Sequence, residues 1–147
     1  MSYTLDITHS IVARGQLDYA SSTALYIGLA LEGTSLATGN YSASDRSQIP
    51  NLNECNYGNY TLKNLTGVSV SLDTTAHEAR FRFDPVVWTN LGTSVATPVV
   101  GAWIQLHAST TTGRVLHYFD TAPLFPFRGG GDRVIVAPQT GAVRFKG

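Results

Sequence analysis

The chain has 147 residues, 43% of them hydrophobic and only 14% charged, with ten basic and ten acidic side chains cancelling to a net charge of zero. That length suits one domain with a core of its own. The lone cysteine, Cys55, excludes an intrachain disulfide, a zinc cage and a Cys-x-x-Cys motif.

Balanced charge without long runs of one sign leaves no footprint for a nucleic-acid backbone, so nucleic acid is not an expected partner. Sparse charge also leaves a surface of hydroxyl, amide and apolar groups that is poorly protected against association. Eight of the ten basic residues are arginine, which suits interfaces because a guanidinium desolvates more readily than an ammonium. The first residues, Met-Ser-Tyr-Thr-Leu-Asp, carry no signal sequence, and no apolar run reaches the length of a membrane span. Synthesis in a cytoplasm and no membrane partner are therefore expected.

In chain order, the first candidate is a short N-terminal helix, capped by Thr8 and ended by Gly15. From Ala24 to Glu32 the residues Leu25, Ile27, Leu29 and Leu31 share one face, and a buried strand is expected. Residues 33 to 64 show no sustained period and read as a long loop, interrupted at most by one short strand. Its centre, Asn51 to Tyr60, is rich in amides and phenols, so Asn51, Asn53, Tyr57 and Tyr60 are candidate contact residues. Packing of the tyrosine rings onto the sheet is the alternative.

Gly67 to Asp73 alternates Val68, Val70 and Leu72 with serines, and Glu78 to Asp84 alternates Ala79, Phe81 and Phe83 with Arg80 and Arg82. The short link between them predicts a hairpin with an apolar inner face and an outer face of serine and arginine. Pro85 ends the second strand, Trp88 is expected in the core, and Asn90 to Pro98 is read as a lead-in. Val99 to Leu106 then alternates as a strand, and the Ser/Thr run closing at Gly113 supplies a reversal into Arg114 to Phe119. A positive φ is expected at Gly113. Pro123 and Pro126 bar a regular central strand, the Arg128-Gly-Gly-Gly-Asp-Arg133 run reads as a turn, and Val134 to Ala137 and Ala142 to Phe145 read as the last strands. Seven or eight short strands without a parallel-sheet pattern predict an all-β, single-domain antiparallel β-sandwich, jelly-roll-like, over residues 1–147.

No constellation for chemistry stands out. His9, His77, His107 and His117 are scattered, with only the last two on facing arms of one hairpin, and two imidazoles do not fix a metal. The triple glycine lacks the Lys-Ser/Thr pair and helix of a phosphate cradle, and Gly-x-Ser-x-Gly is absent. No catalytic residue, cofactor or metal is expected. Trp88, Trp103 and the tyrosines could offer a sugar-stacking platform, although filling a core is the commoner use of such rings.

Three stretches carry a resemblance: Ala24-Leu-Tyr-Ile-Gly-Leu-Ala-Leu, then Val100-Gly-Ala-Trp-Ile-Gln-Leu-His-Ala with Gly113-Arg-Val-Leu-His-Tyr-Phe, and finally Gly131-Asp-Arg-Val-Ile-Val. Together they resemble small β-sandwich virion proteins of tailed bacteriophages, of the capsid decoration or tail-fibre-like kind. The resemblance spans about half the chain. Trp88 departs from it in lacking a following glycine, and the Asn/Tyr-rich loop is longer than the pattern. It implies a non-enzymatic decoration or cement protein on the capsid exterior, with the major capsid protein and copies of itself, as dimer or trimer, for partners. A tail or fibre component is the alternative in the same setting, and a carbohydrate-binding module the alternative outside it. Candidate interface residues are Asn51, Asn53, Tyr57, Tyr60, Arg80, Arg82, Trp103 and Arg128.

Overall fold

The computed structural model describes residues 2–4, 24–34, 45–49, 51–93, 97–120, 124–137 and 143–146. The expected N-terminal helix falls on residues outside these. The described strands are β1 (Ser2–Thr4), β2 (Leu25–Leu31), β3 (Lys63–Asn64), β4 (Ser69–Asp73), β5 (Glu78–Arg82), β6 (Val86–Thr93), β7 (Val99–Leu106), β8 (Arg114–Phe119), β9 (Gly129–Ile135) and β10 (Val143–Lys146). They form three antiparallel sheets ordered β1-β8-β7-β2-β3, β10-β5-β4 and β6-β9. All three contribute to one core, in which Leu25, Ile27, Leu29, Phe81, Trp88, Ile104, Phe119 and Ile135 pack together. The fold is an all-β sandwich, as the alternation predicts.

The largest sheet is buried on both faces. Leu25, Ile27 and Leu29 of β2 and Ala102 and Ile104 of β7 point into the main core. On the reverse face Ala30, Trp103, Val115 and Tyr118 form a second cluster under Ile49, with Leu52 and Leu62 packed against it. Glycine makes room for that reverse layer. Gly28 is the register partner of Trp103, and a Cβ on Gly28 would overlap the indole. Gly101 stands in the same relation to the Tyr118 ring. Each ring thus covers backbone that carries no side chain of its own.

A bulge lets β8 serve both faces. Gln105 pairs with Val115 and Ile104 with His117, so Leu116 is the extra residue. Val115 and Tyr118 therefore join the outer cluster while Leu116 and Phe119 join the main core. The same register separates the histidines: His117 faces Ile104 and is buried, whereas exposed His107 lies beyond the end of β7.

The turn from β7 to β8 departs from expectation. Its left-handed residue is His107, at φ 67°; Gly113 is needed instead because a Cβ there would strike the Gln105 amide. Gln105 is fully buried with three of its hydrogen bonds made. Its Oε1 accepts from Trp103 Nε1 at 2.8 Å, and its Nε2 donates to the carbonyls of His107 and Ser109 at 2.7 and 2.9 Å. One side chain therefore ties the indole to the turn.

Two further expectations are corrected. The lead-in after Trp88 is part of a strand, β6, and the triple glycine is the start of its partner β9 rather than a turn. Gly129, Gly130 and Gly131 take φ values of 75°, 83° and 125°, which only glycine adopts readily. The register shift between Trp88 and Leu91, with Asn90 at φ 48°, hides β6 from an alternation rule. In the predicted β4–β5 hairpin, Phe81 is buried as expected, but Val70 and Leu72 are 41% and 79% exposed. The exposure belongs to β4, the edge strand of its sheet, while Glu78 and Phe81 on its partner β5 are buried.

Gly28→Ala should destabilise the fold by about 1–3 kcal/mol through overpacking and shift the tryptophan fluorescence to longer wavelength as Trp103 is lifted from its bed; urea melts followed by fluorescence check this. Gln105→Leu should cost about 1–3 kcal/mol, because it leaves the buried Trp103 N–H without an acceptor and the turn carbonyls without a donor. Thermal melts against wild type measure it.

Candidate functional site

The amide- and phenol-rich loop is where sequence reasoning places a contact surface, and the structure turns Tyr57 and Tyr60 inward while Asn51, Asn53, Asn56 and Asn59 stay exposed. The 3-10 turn Arg46–Gln48 is held on the β7–β8 turn, with Arg46 N donating to Gly113 O and Ser47 N to Thr111 O, both at 3.0 Å. The chain then runs beside the end of β2, where Leu31 N donates to Asn53 O and Cys55 N to Leu29 O, each at 2.8 Å. It returns beside the start of β2 as β3, with Leu65 N on Leu25 O at 2.8 Å. The loop therefore wraps the edge of β2. Ile49, Leu52 and Leu62 reach one face and Cys55, Tyr57 and Tyr60 the other.

Most candidate contact residues are committed to this wrapping. Asn53 spends its amide on Glu32 O at 3.0 Å. Tyr57 is 5% exposed, its hydroxyl donating to Thr97 O at 2.5 Å. Tyr60 stacks with Trp88 at 6.4 Å between ring centroids, donates to Glu54 Oε1 at 3.0 Å and accepts from Leu29 N at 3.3 Å. Burial, reinforced by the Glu54 carboxylate, pushes its phenol well above the ordinary range. Burial likewise raises the Cys55 thiol, which favours the less nucleophilic protonated form. Asn51 remains exposed at a turn.

Trp103 is fully buried, so it presents no surface to a partner. The Arg46 guanidinium lies 5.1 Å from its ring centroid and pairs with the Glu54 carboxylate. Arginine stacked on indole and bonded to a carboxylate is a structural clamp between loop and sheet. Sequence reasoning misses Arg46 and Glu54, because nothing in their spacing announces the pair.

A hollow of about 700 Å³ remains beside the loop, lined by Tyr26, Glu54, Asn56, Tyr60, Leu62 and Thr110 among others. Its carboxylate is already held by Arg46 and Tyr60. Among the described residues, no three His, Cys, Asp or Glu side chains gather as a metal site, and no helix is long and apolar enough to cross a membrane.

The remaining candidates lie on the sheet ribbons. Arg80 pairs within its own hairpin, at 2.6 Å from Asp73 and 2.8 Å from Glu78. Asp73 also accepts from the backbone N–H groups of Thr75 and Ala76; the Ala76 bond, with Arg80 and Thr75, holds its carboxyl below the usual range. Arg82 is half-buried opposite Ser69. Arg128 is exposed, and its carbonyl accepts from Thr93 Oγ1 at 2.8 Å. Uncovered apolar side chains accompany these residues. Val70 and Leu72 lie on β4, Val87 on β6 faces Val134 on β9, and Val136 follows β9. Sequence alternation finds Val70 and Leu72 but assigns them to the interior, and it does not find Val87 on β6.

Tyr60→Phe removes the hydroxyl between Leu29 N and Glu54 and should cost about 1–3 kcal/mol. The raised phenol also has a pH consequence. The unfolded chain releases the Tyr60 proton near its ordinary value of 10.0 while the folded chain retains it, so this contribution is full below that pH and declines above it. Urea melts between pH 9 and 11 should show a shallower decline in Tyr60→Phe than in wild type.

No protein-family model, curated protein or solved structure matches the chain.

Proposed function

We propose that this chain is a non-enzymatic structural subunit of a tailed-bacteriophage virion, a decoration or cement protein that binds the outside of the capsid shell and bridges neighbouring major capsid subunits. The observation that carries the reading is a set of exposed apolar side chains on strands: Val70 and Leu72 on β4, 41% and 79% exposed, and Val87, Val134 and Val136 on or beside β6 and β9, 41–49% exposed. With 14% charged residues and no net charge, little opposes docking of these faces. The three stretches that resemble phage virion proteins fall on β2, on the β7–β8 hairpin and on β9. The first two lie in the five-stranded sheet, and the third lies on the β6-β9 pair that carries Val87 and Val134.

The mechanism is mechanical. Burying one exposed leucine or valine contributes about 1.5–3 kcal/mol at most, and a symmetric shell repeats that gain at every equivalent position. A tail or fibre location is the second reading, consistent with the same surfaces. A sugar platform on Trp88, Trp103 or Tyr57 has less support, because all three rings are buried.

Copy number in purified particles, measured by quantitative mass spectrometry against the most abundant shell protein, tests the proposal. A ratio near one, or a simple fraction of it, is expected for cement at regular lattice positions. A ratio of a few hundredths moves the protein to the tail, and absence from particles overturns the virion assignment.

A further inference from the structure

We infer that the hollow between the long loop and the β7–β8 turn is a binding site for a neutral mono- or disaccharide unit. The site goes beyond the proposed function and does not depend on where the protein resides.

The first argument is how the hollow is built. Tyr26 alternates with Leu25 and Ile27 of the main core, so it stands on the reverse face of β2. Around it the loop contributes Asn56, Thr61 and Leu62, and the turn contributes Ala108 and Thr110. At about 700 Å³ the space falls within the roughly 300–1,000 Å³ of small-molecule sites. Its walls are tied down by the chain itself. His107 N donates to Ala24 O at 2.8 Å, Gln105 bonds the turn carbonyls, and the loop is bonded along β2. Such preorganisation lowers the ordering cost of binding.

The second argument is which polar groups are left over. Most neighbouring polar side chains are bonded within the chain: the amides of Asn53, Asn59 and Asn64, the phenols of Tyr57 and Tyr60, and the hydroxyls of Ser109 and Thr112. The hydroxyls of Tyr26, Thr61 and Thr110 and the amide of Asn56 have no such bond among the described residues, and all four residues line the hollow. Asn56, Thr61 and Thr110 are exposed, which opens the hollow to solvent.

The third argument is charge, which selects the class of ligand. The carboxylate in the wall, Glu54, is paired with Arg46 and accepts from Tyr60. The site therefore has no unspent charge to offer an ion. It offers hydroxyls and an amide, each able both to donate and to accept, beside the apolar surface of Tyr26, Leu62 and Ala108. A sugar ring has the matching make-up, with hydroxyls that donate and accept around its rim and C–H groups across its faces. A tyrosine suits both parts, since its ring is apolar and its hydroxyl is a polar handle. The buried rings of Trp88 and Trp103 take no part.

The test uses the purified full chain in saturation-transfer NMR, which registers weak binding. The probes are methyl glycosides of glucose, galactose, mannose, fucose, N-acetylglucosamine and N-acetylgalactosamine, with lactose, maltose and diacetylchitobiose. Glucuronic acid, N-acetylneuraminic acid and a blocked neutral dipeptide run alongside. Binding of at least one neutral sugar is expected, and titration with it should shift the amide resonances of Tyr26, Asn56, Thr61 and Thr110 most. The double variant Asn56→Ala/Thr110→Ala should weaken binding about fivefold or more. Its melting temperature should match wild type, because both side chains are exposed and unbonded in the chain. Asn51→Ala, at an exposed amide that does not line the hollow, should bind as wild type does. Absence of binding to every neutral sugar overturns the inference. So does binding confined to the acidic sugars or the dipeptide, shifts that fall elsewhere, or an affinity untouched by the double variant.

Discussion

The arrangement on which the rest of this protein depends is the seating of Trp103 on the bare backbone of Gly28, with its N–H fixed by Gln105. A sheet with one apolar face needs only one cover. Putting an indole on the reverse face of β7, and a phenol beside it on β8, creates a second apolar surface that must also be removed from water. The long loop is that cover. Ile49, Leu52 and Leu62 supply its hydrocarbon, and Arg46, stacked on the indole and paired with Glu54, supplies a polar lid whose charge is compensated.

The same logic explains why this loop can be long yet regular in its contacts. A segment without secondary structure must still satisfy its backbone, and here it borrows partners from both ends of β2 and from the β7–β8 turn. Gln105 is the hinge of the scheme, since it bonds the indole on one side and the turn carbonyls on the other. Tyr60 plays a matching part on the main-core side, between Trp88, Glu54 and the Leu29 amide. Sheet, turn and loop are therefore coupled through a few buried polar atoms, and loss of one loosens the others.

With Tyr57, Tyr60, Trp88 and Trp103 packed inward, the loop amides stay at the surface. The exposed large hydrophobics among the described residues are aliphatics on or beside strands, and on the β4–β5 hairpin Arg80 pairs with Asp73 and Glu78. Unpaired strand edges and exposed aliphatic side chains are general features through which β proteins meet other surfaces.

The hairpins were legible because alternation is a local property: Val99–Leu106 with Arg114–Phe119, and Ser69–Asp73 with Glu78–Arg82, announce their period without reference to the rest of the chain. β6 and the glycine-rich start of β9 were not, since a bulge at Asn90 and three glycines at positive φ interrupt the period there, whereas the end of β9 at Val134 and Ile135 was read as a strand. The candidate site was half legible. Composition marked Tyr57, Tyr60 and Trp103 as important, but an amphipathic ring serves a core and an interface equally well, and only the wrapping of the loop around β2 turned them inward. Similarly, the alternation of Val70 and Leu72 determined that they share a face, while their exposure was decided by the place of β4 at the edge of its sheet. Periodicity belongs to the backbone of each strand, whereas burial belongs to whatever the folded chain brings against it.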